Sequence, residues 1–298
     1  MTARRALLTG ASGFIGAALA RRLLQQGWQV DLVLRPDADA GAWPQDQPVP
    51  AVHRHDGSTA GLIKIVRTAA PEVVFHLASL FLAQHTADDV ERLVQSNLLF
   101  GTQLAEAMAA NGVRLLVNTG TSWQHYQDGA ERPVCLYAAT KQAFLSLLRY
   151  YVECAGLRVL TLKLFDTYGP GDRRPKLLNV LKKAATSGAP LAMSPGEQLI
   201  DLVHIDDVVE AYLLAAARLQ SGAVAAMEEY GVSSLAPLPL RELAALYASA
   251  AGLPLTIEWG GRPYRPREVM VPWTQFQTLP GWQPRVDLAD GLARFHRE

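Results

Sequence analysis

Thr9-Gly10-Ala11-Ser12-Gly13-Phe14-Ile15-Gly16 is the stretch on which the reading of this chain turns. A short apolar run at 6–8 precedes it and reads as a strand. Residues 14–26 follow, with Phe14, Ile15, Ala18, Leu19, Ala20, Leu23 and Leu24 at helical spacing and Gly27 as the stop. Gly10, Gly13 and Gly16 turn the chain sharply, bring backbone N–H groups close to a pyrophosphate and let the helix pack tightly on the strand. Ser12, Phe14 and Ile15 belong to the same cofactor-binding loop. The spacing Gly-x-x-Gly-x-x-Gly is one residue wider than the common dinucleotide fingerprint. Its place between an apolar strand and an amphipathic helix still points to a dinucleotide.

Working outward, apolar runs at 29–34, 73–77, 115–118 and 159–164 alternate with helical patterns at 97–110, closed by Asn111-Gly112, and 138–154, closed by Gly156. That alternation predicts an α/β protein with a doubly wound parallel sheet. Residues 38–50 are rich in Pro, Asp and Gly and read as a surface loop. Beyond Phe165 the prolines cluster, which predicts a smaller, irregular second domain, while 206–219 reads as an amphipathic helix returning to the first. The expected division is 1–165 plus about 202–225 for the dinucleotide domain, and about 166–201 plus 226–298 for the substrate domain.

The 298 residues carry 28 basic and 28 acidic side chains, a balance that argues against nucleic acid as partner. Cys135 and Cys154 are the two cysteines and form no CxxC, so neither a disulfide framework nor a thiolate zinc site is expected. Residues 1–8 are too short for a signal peptide, and no apolar run approaches the ~20 residues of a spanning helix. A cytoplasmic enzyme with no membrane partner is the expectation. His53, His55, His76 and His125 have no carboxylate recurring at ligand spacing, so no metal is expected, and no Gly-x-Ser-x-Gly elbow supports a hydrolase.

His76-Leu77-Ala78-Ser79, Asn97 with Gly101-Thr102, Tyr168-Gly169-Pro170-Gly171, Val203-His204-Ile205-Asp206-Asp207 and Gly281-Trp282-Gln283-Pro284 complete a pattern with the glycine string. Over most of the chain it resembles the extended short-chain dehydrogenase/reductase family of nucleotide-sugar epimerases, dehydratases and ketoreductases. The resemblance implies a Rossmann fold with a smaller, discontinuous α/β substrate domain. It places Leu77, Ala78 and Asn97 at the cofactor and Ser79 at the substrate. Asp56 resembles the family's adenine-contacting aspartate; beside Gly57 it reads equally as a turn former.

At the end of the second strand, where NAD-users offer a carboxylate to the ribose diol, Leu34 is followed by Arg35. A guanidinium without the acid suits a 2′-phosphate, so NADP(H) is the expected cofactor. Tyr137-Ala138-Ala139-Thr140-Lys141 is the one Tyr-x-x-x-Lys among nine tyrosines. On a helix, i and i+4 share a face, so ammonium and phenol converge on one proton-transfer centre, with Lys141 also in reach of the nicotinamide ribose. Asn118 to Tyr126 resembles the family's strand-end hydroxyl cluster, and counting back from Tyr126 makes Ser122 the catalytic hydroxyl, with Thr121 as its substitute.

Family dehydratases carry an Asp-Glu pair after that hydroxyl, where this chain has Trp123 and Gln124. Reduction of a keto group, C4 before others, on a nucleotide-activated deoxysugar by NADPH is the expected reaction. The alternatives are an epimerase with tightly bound NAD, a reductase of small carbonyls and a non-catalytic NADPH-binding regulator. Lys176 resembles the family's substrate-loop lysine and Arg267, with Arg265 as rival, its C-terminal phosphate-binding arginine. Asp166 stands where the family has asparagine, and Ile200 where it often has arginine. The helices at 97–110 and 138–154 carry apolar residues on more than one face, which predicts a homodimer built on them.

Overall fold

A parallel sheet covered on both faces needs strands that are apolar throughout, and Leu7, Leu8, Leu32, Val74 and Phe75 meet that demand with little or no exposure. In the computed structural model, which describes residues 4–39 and 48–297, the elements run in chain order as follows. The first half contains β1 (Arg5–Thr9), α1 (Phe14–Gln25), β2 (Gln29–Leu34), β3 (Ala51–Arg54), α2 (Thr59–Ala69), β4 (Val73–His76), α3 (Val90–Val94), α4 (Phe100–Ala110), β5 (Leu115–Thr121) and α5 (Leu136–Ala155). Then come β6 (Arg158–Leu164), β7 (Asp166–Tyr168), α6 (Leu177–Ser187), β8 (Leu191–Met193), β9 (Leu199–Ile200), β10 (Leu202–His204) and α7 (Ile205–Gln220). β11 (Met227–Val232), β12 (Leu238–Pro239), α8 (Leu240–Ala251), β13 (Ile257–Trp259) and α9 (Leu288–Arg297) complete the chain.

Seven parallel strands form the main sheet in the order β11-β6-β5-β4-β1-β2-β3. Leu8 of β1 stands beside Leu32 of β2 on one side and Phe75 of β4 on the other. α1 and α7 cover one face and α2, α4 and α5 the other. The order of strands reverses between β1 and β4, which opens a crevice at their carboxyl ends. This is a Rossmann-type α/β sheet. A second hydrophobic cluster gathers α6, α8, α9 and three two-stranded pairs around Leu181, Leu243, Tyr247 and Leu292.

Four sequence expectations change. The helix placed at 97–110 begins seven residues earlier, at Val90, and a π-turn over Gln95–Leu99 joins α3 to α4. β3 and α2 were missed; β3 is an edge strand with largely exposed side chains, so it shows no apolar run. β11, assigned to the second domain, is the other edge of the main sheet. Its acids hide it: Glu229 pairs with Lys163 at 2.5 Å and Glu228 with Arg218 at 3.2 Å. Residues 40–47 of the expected loop lie outside the described residues. Among the described residues no helix is long and apolar enough to cross a membrane.

Gly10 decides the crevice. Its φ is +81°, and a Cβ there would sit 2.6 Å from the Ala78 nitrogen. Gly10→Ala combines left-handed strain with a clash against backbone, and should lower stability by about 2–4 kcal/mol. Chemical denaturation of the variant beside the unaltered protein measures it.

Candidate active site

Three positions at the loop between β1 and α1 leave little or no room for a side chain. A Cβ on Gly16 would lie 2.2 Å from the Gly10 carbonyl oxygen and one on Gly13 at 3.3 Å, while Gly13 N donates to Gly10 O at 3.0 Å. Gly13 caps α1 without a side-chain hydrogen bond, and the first turn holds no acid, so its N–H groups are left for an anion. Leu77 and Ala78 wall the opposite side: their N–H groups donate to Thr9 O and Thr9 Oγ1, each at 3.2 Å. These residues fit a dinucleotide diphosphate, the ligand the sequence placed there.

Asn97 sits buried in the π-turn, where helices often widen at functional positions. Its Oδ1 accepts from Ser79 Oγ (3.1 Å) and Leu80 N (2.8 Å), and its Nδ2 donates to Leu80 O and Thr140 Oγ1 (both 3.0 Å). Thr140 in turn donates to Tyr137 O at 2.7 Å, so one amide ties the loop after β4 to the helix bearing Tyr137 and Lys141.

Tyr137 and Lys141 are both buried on α5. Burial pushes the Tyr137 phenol up, against a smaller opposing effect of its hydrogen bond with Ser79. Burial lowers Lys141 to about 8. His76 nearby falls to about 3, chiefly by burial and then by the Lys141 charge. It packs against Phe100 and Phe144 and shares a hydrogen bond with Thr9 Oγ1 at 2.8 Å, which makes it a neutral packing residue.

β5 ends at Thr121, whose Oγ1 accepts from Trp123 N at 3.3 Å. Ser122 follows on the turn Ser122–Gln124, buried at the edge of a small cavity shared with Asp166 and Arg265. Gln124 is wholly inaccessible, accepting from Thr121 N at 2.9 Å and donating to Gln142 at 2.8 Å. Neither it nor Trp123 can deliver a carboxylic proton. Phe81, unremarked in the sequence, joins the two halves of the site: it meets Tyr137 edge-on at 5.0 Å and Trp123 at 5.6 Å.

At the end of β2, Leu34 is buried while the Arg35 side chain is 81% exposed, with Nε 3.9 Å from Asp37. Asp56 is spent in part on its own turn, accepting from Ser58 N (2.9 Å) and Ser58 Oγ (2.7 Å), bonds that hold its carboxyl low. Gly57 beside it takes φ +90° and accepts from Gln103 at 3.0 Å.

A cavity of about 390 Å³ lies below Phe81 and Trp123, lined largely by aliphatic side chains. Its charges are Lys176, Arg262 and Arg265 against Asp166, Asp172 and Glu268. Lys176 Nζ is 3.4 Å from Asp166, and Arg265 grips Glu268 at 2.7 and 3.0 Å. Arg262 has no carboxylate partner among the described residues and was not singled out by the sequence. Arg267, with φ +56°, donates to Pro133 O at 2.9 Å and lies over Tyr126, outside the lining of this cavity. The ring lowers the cost of that placement, since a guanidinium stacks on an aromatic face.

Residues 6–227 match the model of the NAD dependent epimerase/dehydratase family, and the chain belongs to that family. The UDP-glucose 4-epimerase of Mycolicibacterium smegmatis is 28% identical over 309 residues, covering 97% of this chain and 96% of that one. The 2-alkyl-3-oxoalkanoate reductase of Stenotrophomonas maltophilia is 29% identical over 265 residues, covering 83% and 76%. Among solved structures, MoeE5 in complex with UDP-glucuronic acid and NAD superposes with a TM-score of 0.83 at 26% identity, covering 98% of each chain.

Proposed function

We propose that the protein reduces a keto group, at C4 in the first instance, on a nucleotide-activated deoxysugar with NADPH. The observation that carries this reading is the end of β2, where a buried Leu34 stands in place of the ribose-binding acid and Arg35, exposed and 3.9 Å from Asp37, is accessible to a 2′-phosphate. A nicotinamide bound at the crevice supplies the hydride. Ser122 holds the carbonyl oxygen, and Tyr137 protonates it as the carbon is reduced. A buried phenol that keeps its proton suits that direction. Lys141 places its ammonium on the same helix face, favouring the phenolate left behind. Arg262, with Lys176 and Arg265, supports the substrate diphosphate, Asp166 faces the sugar from the same cavity, and Ser79 meets it beside Tyr137. The buried amide of Gln124 argues against dehydration.

A second reading, an epimerase that recycles a retained NAD, is favoured by the NAD held in MoeE5. The two are separated by assaying NADPH oxidation against 4-keto-6-deoxy sugars carrying different nucleotides, beside epimerisation of UDP-glucose without added cofactor. Consumption of NADPH on the first panel supports reduction; turnover only in the second assay supports epimerisation.

Arg35→Ala should weaken NADPH binding roughly tenfold or more while NADH binding holds, the size of a lost charge-assisted hydrogen bond. Titration of both cofactors decides it, and equal affinities in the unaltered protein overturn the cofactor assignment.

Tyr137→Phe should cut kcat by about 10²–10⁴-fold with NADPH binding retained. Because Lys141 carries its proton below about pH 8 and loses it above, the rate should fall as pH rises through that value. A pH profile of single-turnover reduction records both effects.

Leu99, Leu147 and Tyr150 are 52%, 37% and 60% exposed on the π-turn before α4 and on α5. We infer a homodimer that covers them as a four-helix contact. Light scattering at micromolar concentration should give twice the chain mass, and Leu99→Glu should return the monomer.

A further inference from the structure

We propose that Arg174 is a cofactor-binding residue that closes the open side of the diphosphate cradle. It stands in Asp172-Arg173-Arg174, a short segment between β7 and α6. Asp172 is only 7% exposed, and both of its oxygens are committed to this arginine: Oδ1 accepts from Nε and Oδ2 from Nη2, each at 2.7 Å. Nη2 also donates to Thr167 O at 2.8 Å, and Asn179 ties down Asp172 O and Arg174 O at 2.7 and 2.9 Å. Held on one edge, the guanidinium keeps Nη1 without an acceptor among the described residues.

Its placement gives that free edge a purpose. The guanidinium carbon lies 4.6 Å from the ring centroid of Phe14, the first residue of α1, whose N–H groups face the diphosphate position. The charge is also felt at Tyr137, where it slightly favours the phenolate. Burying a carboxylate to orient an arginine is costly unless the cation meets a further anion, and a planar fork with one edge occupied presents the other to a phosphate oxygen. The same segment serves the second ligand: Asp172, Pro175 and Lys176 line the substrate cavity, while Arg174 does not. One stretch of chain therefore touches both ligands, with Arg174 on the cofactor side.

The proposal rests on a dinucleotide in the glycine loop, and not on whether it carries a 2′-phosphate. Dissociation constants of NADPH, NADH and adenosine 2′-phosphate are measured for the unaltered protein, Arg174→Met and Arg35→Ala. Arg174→Met should weaken NADPH and NADH by a common factor, roughly tenfold to a hundredfold, and leave adenosine 2′-phosphate unchanged, since it has no diphosphate. Arg35→Ala should do the reverse, acting on NADPH and adenosine 2′-phosphate alone, so that failure of the NADPH reading leaves this test intact. If Arg174→Met does not fold, Arg174→Gln, which keeps a donor for Asp172 and removes the charge, carries the same comparison. Undiminished affinity for both dinucleotides, or an equal loss for adenosine 2′-phosphate, would overturn the assignment.

Discussion

Backbone approaching backbone is the constraint from which the rest of this structure follows. Gly10 lies against both the Leu77-Ala78 segment beyond β4 and Gly16 at the start of α1, closer than any side chain permits. Three consequences follow from that contact. At its glycines the loop offers N–H groups and carbonyls to a ligand, the uncapped end of α1 points into the same space, and the crevice opens where the strand order reverses. Thr9 stitches the arrangement together, binding His76, Leu77 and Ala78 across the two strands.

Burial then sets the chemistry. Desolvation penalises whichever form is charged, so it moves the Tyr137 phenol up and the Lys141 ammonium down. The two shifts separate the groups, so the phenol holds its proton over the range in which the ammonium begins to lose its own. Keeping the pair in place falls to Asn97, whose four hydrogen bonds tie the loop after β4 to α5. The π-turn at Asn97 interrupts regular α-helical hydrogen bonding, and the amide's own bonds offset that loss.

In the substrate cavity the physical question is charge. Asp166 in place of asparagine and Ile200 in place of arginine deplete the positive field, and the structure shows Asp166 paired with Lys176. Arg265 is similarly paired with Glu268. Two of three cations are thus paired with carboxylates, which leaves Arg262 without a carboxylate partner among the described residues. A diphosphate bound here must either exchange partners with those carboxylates or rely on Arg262 and hydrogen bonds. Phe81 and Trp123 form an aromatic wall beside Tyr137, which suits an apolar ligand face.

The sequence by itself determined the sheet, the glycine loop and the Tyr137–Lys141 pair, because each is a local pattern. An apolar run makes a buried strand, three glycines at fixed spacing make a cradle, and residues four apart on a helix share a face. It missed β3 and β11 because edge strands bury little and carry charges whose partners, such as Lys163 for Glu229, lie far along the chain. It placed the start of the helix at Asn97 because a π-turn has no signature in composition. What the arginines meet beyond their chain neighbours was decided only in the tertiary structure. Arg265 and Arg267 stand two residues apart in a charged stretch, yet one binds Glu268 at the cavity and the other turns to Pro133. Arg174 is gripped by Asp172, two residues before it, and only the fold brings Phe14 beneath it. A long charged side chain takes its role from whatever the fold brings within reach, and no local pattern encodes that.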